Sequence, residues 1–327
     1  MKGKIITLLL LTFYFSSFSQ EYTKPADAIG LVNQGYWPLA HTGNYSITYM
    51  YLMEMSSDDV TTKYNSNDLD DFNWTAQSAM SKLERYWEAS MLGILRANLA
   101  LEKVPMIKMD PDLKKRLIAE AKFLRGFYYF HFTNAFGDVP LYTTFPKDSS
   151  KLFIPRTARN IVYQQIKKDL DEAARDLPVS YHTSENWRAT KGAATAFLGK
   201  VYLFDQKWTD AAAKLKEVVD MGVYTLTSDF DENFDMENEH CSESIFEVEF
   251  ADLGPSYNGW ISEVGVSNVN NHRDLYMGIQ SLGNGSNGPN GFSELIATSD
   301  LHSEFEGGDP RRRKSLYTLF QGEEAQT

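Results

Sequence analysis

The protein is a chain of 327 residues in which 44 Asp and Glu outnumber 32 Lys and Arg, for a formal net charge of −12. This acidic balance argues against a nucleic-acid partner, because phosphate binding needs a basic surface. With 43% hydrophobic and 23% charged residues, the chain can bury a core and is not a disordered tail. The single cysteine, Cys241, excludes an internal disulfide framework and any Cys-x-x-Cys metal site.

The first 19 residues have the order of an export signal. Lys2 and Lys4 precede an apolar run over residues 5–15, and Ser17 and Ser19 are small enough for cleavage after Ser19. The run is shorter than the about 20 residues that span a bilayer. We therefore predict a signal peptide over residues 1–19. Since no Cys precedes residue 241, we expect the exported chain to carry no lipid of its own.

The apolar spacing from residue 26 to about residue 224 is mostly helical. Asp110 before Pro111 is typical of a helix start, and Gly137 followed by Pro140 is typical of a helix end. The pattern predicts helices at about 76–104, 111–136, 157–177, 188–205 and 208–221.

The last two of these helices resemble a tetratricopeptide unit. Gly192, Ala196 and Gly199 place small side chains where two antiparallel helices approach closely. Large residues occupy the other positions, and the helical spacing places Trp87 and Trp208 at core-type positions. No strict 34-residue repeat runs along the chain, so we expect a degenerate array.

The residue pattern and composition of the sequence change after residue 225. Alternation of apolar and polar residues predicts a strand over 243–250. Residues 254–291 are rich in Gly and Asn, which is typical of a long functional or disordered loop, and 292–306 look helical. We therefore divide the mature chain into a helical domain, 20–225, and a loop-rich second subdomain, 226–327.

Five segments of the chain carry recognisable motifs: Trp87 to Asn98, Arg125 to Leu141, Thr190 to Ala211, Glu243 to Phe246, and Phe305 to Arg311. The most recognisable of them reads RGFYYFHFTNAFGDVPL. In this order, the five segments resemble the SusD/RagB family of outer-membrane glycan-binding proteins.

The resemblance implies a mainly all-α protein, with a tetratricopeptide-type superhelix and a loop-rich, partly β second part. It also implies a protein that caps a SusC-like TonB-dependent transporter in the outer membrane and captures glycans for import. Members of the family usually carry a lipidated Cys after the signal and continue well past the Asp309-Pro310-Arg311 motif. This chain stops at Thr327, so we expect the apolar face of its last helical unit to stay partly exposed.

The motifs that could carry chemistry are weak. Gly283 to Gly288 fits G-x-G-x-x-G, but neither a strand before it nor a helix after it is predicted. The acidic segment 229–237 resembles the start of an EF-hand, yet Phe234 stands where the Gly is needed, so we favour a solvated loop. The acidic cluster between residues 58 and 71 could hold a metal or be solvated. No acid pair is singled out and no zinc spacing of histidines occurs, so we predict no catalytic residue, cofactor or metal.

Aromatic residues make up 13% of the chain, and several stand in polar loops. Sugars present apolar C–H faces beside hydroxyls, so a glycan site combines flat aromatic side chains with amides. Two loops have this composition, one between residues 64 and 74 and one within 254–291. The predicted ligand-binding residues are Tyr64, Asn67, Trp74, Tyr257, Trp260 and Asn270.

The sequence therefore favours an exported, non-enzymatic glycan-binding protein that delivers oligosaccharides to a SusC-like transporter. One alternative is a tetratricopeptide scaffold that binds only a protein. The other is a glycoside hydrolase with a carboxylate pair that the sequence does not reveal.

Overall fold

The computed structural model describes residues 21–45, 48–61, 67–70, 72–73, 80–148, 151–235, 238–250 and 296–315. Two short strands occur among them, β1 (Val60–Thr61) and β2 (Ile296–Ala297). The α-helices are α1 (Pro25–Tyr36), α2 (Thr48–Glu54), α3 (Asn67–Asp70), α4 (Met80–Lys103), α5 (Pro111–Phe136), α6 (Arg159–Asp176), α7 (Lys191–Phe204), α8 (Trp208–Asp220), α9 (Ser299–Glu304) and α10 (Pro310–Ser315).

The five predicted helices are confirmed as α4 to α8. The start of α5 is capped as predicted, since the Asp110 carboxylate accepts a hydrogen bond of 2.8 Å from the backbone N–H of Leu113. Gly137 ends α5 with a φ of 72°, a value that glycine adopts at little cost. At the start of α7, the Thr190 hydroxyl accepts from the backbone N–H of Ala193.

Helices α4 to α8 pack in series, each against the next, and α1 packs across α4 and α5. The close approach predicted between α7 and α8 is present, because a Cβ added to Gly199 would lie 2.8 Å from the Leu215 side chain. This serial packing is the superhelix that the sequence predicted, and the all-α fold class is confirmed. No helix of the described part of the chain is long and apolar enough to cross a membrane.

The centre of the molecule is α5, which is buried on most sides. Its second half carries consecutive buried aromatic side chains, Phe127 to Phe130, followed by His131 and Phe132. They pack against α4, α6 and α7 in the largest of three hydrophobic clusters. The aromatic run of the segment RGFYYFHFTNAFGDVPL is therefore part of the hydrophobic core. Trp87 of α4 joins it, with its ring 4.6 Å from the Phe132 ring.

The predicted strand over 243–250 is wrong. Glu243 lies in a turn, and residues 246–250 join no strand of the described chain. Phe246 packs against the core, with its ring 5.1 Å from the Phe123 ring, and Ile245 and Val248 pack against the same cluster. The acidic residues between the apolar ones bond to loops, since Glu243 accepts from Thr227 and the Glu249 carboxylate lies 2.7 Å from His240. The apolar side chains of this segment thus contact the core and the acidic ones bond to loops, which produces an alternation like that of a strand.

Two further predictions need correction. Within 292–306, the helix is only Ser299–Glu304, because Ile296 and Ala297 pair with β1; residues 292–295 lie outside the described part. Trp208 is not a core residue, since 61% of it is exposed. The buried residues of α8 are Ala211 and Val218, and Trp208 stands at the first position of the helix, on an adjacent, outward face.

Candidate ligand-binding surface

Of the six predicted ligand-binding residues, the structure describes only Asn67, which is the first residue of α3. The other five predicted ligand-binding residues lie outside the described residues: Tyr64, Trp74, Tyr257, Trp260 and Asn270. The G-x-G-x-x-G stretch also lies outside them. The residues that flank two of these segments, 58–61 and 296–298, are described.

These flanking residues meet in one small antiparallel sheet. Val60 pairs with Ala297, and Thr61 pairs with Ile296. Thr61 immediately precedes residues 62–66, which contain Tyr64, and Ile296 immediately follows residues 251–295. The described residues next to two chain segments, each with predicted glycan-binding aromatics, are thus paired with each other. We call residues 58–61 with 296–298 the anchor sheet.

Thr298 extends the anchor sheet through its backbone and its side chain. Its backbone N–H donates to the carbonyl of Asp59 at 2.9 Å. Its hydroxyl lies 2.6 Å from the carbonyl oxygen of Asp58 and 3.2 Å from that of Asp59. The same oxygen accepts from the backbone N–H of Leu301 at 3.2 Å, which makes Thr298 the N-cap of α9.

A second side-chain hydrogen bond joins Thr61 to Asp70. The hydroxyl of Thr61 donates to the carboxylate of Asp70 at 2.7 Å, across the chain that contains Tyr64 and Asn67. Asp70 is the last residue of α3, so the bond fixes that short helix against β1. One carboxylate of the acidic cluster between residues 58 and 71 therefore has a structural partner.

The anchor sheet rests on the third hydrophobic cluster. Val60 packs there against buried residues that include Met55, Leu69 and Tyr86. Tyr86 of α4 also contacts Phe136 of α5, with ring centroids 5.9 Å apart, and burial raises the pKa of its hydroxyl. The sheet is thus seated on the end of the central helix.

A buried polar group lies under the same region. The His131 ring contacts two phenol oxygens, Tyr45 at Nε2 and Tyr49 at Nδ1, each at 3.1 Å. Burial, assisted by the charge of Lys200, lowers the pKa of His131 to about 3. The ring is therefore neutral near pH 7. It is enclosed among aromatic side chains, which indicates a structural role in the core.

Glu120 is the second buried titratable group. Its carboxylate accepts from the Arg188 guanidinium at 2.9 Å and from the Tyr36 hydroxyl at 3.0 Å. Arg116 lies 3.4 Å away, outside good hydrogen-bond alignment. Burial raises the pKa of Glu120 against the opposing effect of the two arginines. A raised pKa suits a general acid, but Glu120 is fully buried and no polysaccharide can reach it.

The acidic loop over 229–235 is organised by one carboxylate. Glu243 accepts from the backbone N–H of Thr227 at 3.1 Å and from the Asn233 amide at 3.1 Å. These bonds lower the pKa of Glu243. Across the described residues, no group of three or more His, Cys, Asp or Glu side chains is arranged to hold a metal ion.

Sequence reasoning missed the residues of the anchor sheet. Thr298 carries a local signal, since a Thr at a helix start followed by an acidic residue in the first turn is typical of a cap. The pairing of Val60 with Ala297 has no such signal, because two-residue strands show no measurable alternation. The pairing of Val60 with Ala297 is therefore known from the fold and not from the sequence pattern.

The comparisons with known proteins assign the chain to a family. The sequence profile of SusD-like proteins, described as "Starch-binding associating with outer membrane", matches residues 18–203, more than half of the chain. The chain belongs to this family of outer-membrane-associated SusD-like proteins. The resemblance drawn from its sequence segments is therefore confirmed.

Curated relatives agree with this assignment. SusD-like protein P25 of Formosa agariphila is 27% identical over 166 residues, which are 50% of this chain and 32% of that protein. A SusD-like protein of Bacteroides ovatus is 21% identical over an alignment of 345 positions, which covers 97% of this chain and 60% of that protein. The chain spans 31–60% of the length of these and the other curated relatives reported.

Solved structures show the same fold. A laminarin-binding SusD-like protein matches with a TM-score of 0.78 and 29% identity, over 89% of this chain and 66% of that one. Surface glycan-binding protein A from Bacteroides uniformis matches with a TM-score of 0.75 over 92% of this chain and 65% of that one. Its identity is 18%, so this second likeness concerns the fold alone.

Proposed function

We propose that this chain is a non-enzymatic glycan-binding protein that captures oligosaccharides at the outer membrane and passes them to a SusC-like TonB-dependent transporter. Membership of the SusD-like family supports capture at the membrane. The similar protein that binds laminarin makes this polysaccharide the first ligand to test. Delivery to a transporter rests on the family resemblance of the sequence.

The observation that carries the proposal is the pairing of Val60 with Ala297. It joins the described residues next to two segments whose composition suits sugars, one with Tyr64 and the other with Tyr257 and Trp260. We infer that flat aromatic side chains of both segments bind one ligand, which would give a larger binding area than either segment alone. We propose Tyr64, Asn67, Trp74, Tyr257, Trp260 and Asn270 as the ligand-contacting residues.

One titratable group of the described chain, Glu120, bears on the proposal of binding without catalysis. Hydrolysis of a glycosidic bond needs two carboxyl groups that both reach the sugar. Glu120, whose pKa is raised as an acid catalyst requires, is enclosed by Arg188 and Tyr36. Glu120 therefore contributes to the packing and charge balance of the core.

The test is retention on a panel of immobilised polysaccharides that includes laminarin, with simultaneous measurement of reducing-end release. We expect retention without release. Trp74→Ala and Trp260→Ala should each weaken binding by about thirtyfold, the effect of losing a hot-spot aromatic. Trp208→Ala is the matched control, because Trp208 is an exposed tryptophan on α8. Unchanged affinity in both loop variants would place the site elsewhere.

The transporter partner needs its own experiment. The signal peptide predicted over 1–19 and the family's outer-membrane association lead us to expect this chain in the outer-membrane fraction of its own cells. Co-purification of a SusC-like barrel with the tagged chain would support delivery to a transporter. A chain recovered alone from gently solubilised outer membranes would contradict it.

A further inference from the structure

The segment over residues 245–250 is held by two different sets of contacts. Its apolar side chains pack against the largest hydrophobic cluster: Ile245, Phe246 and Val248. The two carboxylates that alternate with them, Glu247 and Glu249, lie instead beside one side chain, His240 of the preceding turn. The core therefore holds the apolar side chains of the segment, and His240 holds the acidic ones.

The backbone of His240 has a left-handed conformation, with a φ of 57°. Residues other than glycine adopt such values infrequently, although asparagine, aspartate and histidine tolerate them best. The backbone N–H of His240 donates to both oxygens of the Glu247 carboxylate, at 3.1 and 3.2 Å. Sparsely populated backbone conformations persist where neighbouring bonds hold them. Glu247 therefore fixes the turn from which the His240 ring projects.

Each ring nitrogen of His240 faces a carboxylate. Nε2 lies 2.7 Å from the Glu249 carboxylate, and Nδ1 lies 3.4 Å from the Glu247 carboxylate. Among the described residues, these two carboxylates are the charged groups within ion-pair distance of the ring. A neutral imidazole carries one N–H and one lone pair, whereas the protonated ring donates from both nitrogens. Only the protonated ring can therefore donate to Glu247 and Glu249 together.

We propose that His240, Glu247 and Glu249 form a pH-sensitive clasp, in which protonation of the His240 ring links both carboxylates and fixes residues 246–250 to the turn. Histidine is the side chain that ordinarily changes its charge between pH 5 and 8. Because two carboxylates stabilise the protonated ring, the clasp is closed on the acidic side of this interval and loosens as the pH rises through it. His131 does not take part, since burial lowers its pKa to about 3.

The test measures the backbone order parameters of residues 246–250 by NMR at pH 5 and pH 8.5, on the two sides of this interval. In the wild type we expect values of about 0.85 at pH 5, as in rigid backbone, and values below about 0.7 at pH 8.5. His240→Asn keeps a residue that tolerates the left-handed conformation but removes the titrating ring. Its order parameters should be the same at both pH values. Identical values at both pH values in the wild type, or an undiminished pH response in His240→Asn, would overturn the clasp.

A second variant tests the contact with Nε2 and decides the question if His240→Asn fails to fold. Glu249→Gln removes one charge and leaves His240 and Glu247 in place, so we expect the pH response to fall to less than about half of the wild-type response. Glu239→Gln is the matched control, because Glu239 is an exposed carboxylate next to His240 in the chain and lies outside the clasp. It should respond to pH like the wild type. A full response in Glu249→Gln, or an equal loss in the two variants, would overturn the proposal.

Discussion

The guanidinium of Arg125 and the carboxylate of Asp169 form a buried two-pronged ion pair, with N–O distances of 2.6 and 2.7 Å. It joins α5 to α6 in the core. The remaining donors of Arg125 reach the Asn98 side chain and the carbonyl of Thr143, both at 2.8 Å. The pair therefore also fastens α4 and the loop after Gly137 to the central helix.

Replacing Arg125 should be costly. Arg125→Leu leaves the Asp169 carboxylate buried without its counter-charge, and we expect the free energy of unfolding to fall by about 3–5 kcal/mol. Arg175→Leu is the matched control, because its ion pair with Asp171 on α6 is exposed and should contribute at most about 1 kcal/mol. Denaturant unfolding of both variants measures the difference. Similar losses in the two would show that burial of the pair is unimportant.

Trp87 and Trp208 offer a second matched comparison. Trp87 packs edge-on against Phe132 and Phe136 at 4.6 and 5.0 Å, so Trp87→Ala should create a cavity and cost about 3–5 kcal/mol of fold stability. Trp208 is mostly exposed, so Trp208→Ala should cost less than about 1 kcal/mol. Thermal and denaturant melts measure both values. A larger loss of stability for Trp208→Ala than for Trp87→Ala would contradict the burial of the two side chains in the structure.

These two tryptophans show which features of the fold can be predicted from the sequence alone. Both occupy helix positions with an apolar pattern, and the pattern correctly predicts the helices, the Asp110 cap and the close approach at Gly199. It does not reveal which part of an apolar face finds a partner, because that depends on how the helices stack. The partners of Arg125 were missed for the same reason, since Asp169 lies 44 residues away in the chain.

His131 should make the protein sensitive to acid. Its pKa is lowered by burial to about 3 in the fold, while an unfolded histidine titrates near 6.5. The unfolded state thus binds the proton first as pH falls. The contribution of neutral His131 is fully present above about pH 6.5 and is lost progressively as the pH falls towards 3.

This pH effect can be isolated by substitution. Between pH 7 and pH 4.5, proton uptake at this site should cost the wild type about 2–3 kcal/mol of unfolding free energy. His131→Gln lacks the titrating ring and should lose that much less over the same interval. His182→Gln, at an exposed site, should follow the wild type. Identical pH slopes for all three proteins would mean that His131 titrates normally.

The binding site was less predictable than the helices. Its composition, with aromatics and amides in polar loops, can be read from single residues such as Tyr64 and Trp260. The pairing of the described residues next to two of these loops cannot, because it includes a contact between Thr298 and Asp58 that spans 240 positions. Local composition therefore favours a glycan as ligand, whereas the pairing of Val60 with Ala297 is known only from the fold.

The most direct test of the central claim is to incubate the purified chain with laminarin and measure binding and reducing-end release in the same samples. Saturable binding with no steady release of reducing ends is the result that we predict, with weaker binding in Trp74→Ala and Trp260→Ala. Steady release of reducing sugar, abolished by a single carboxylate substitution, would contradict the account of a protein that binds glycans without hydrolysing them.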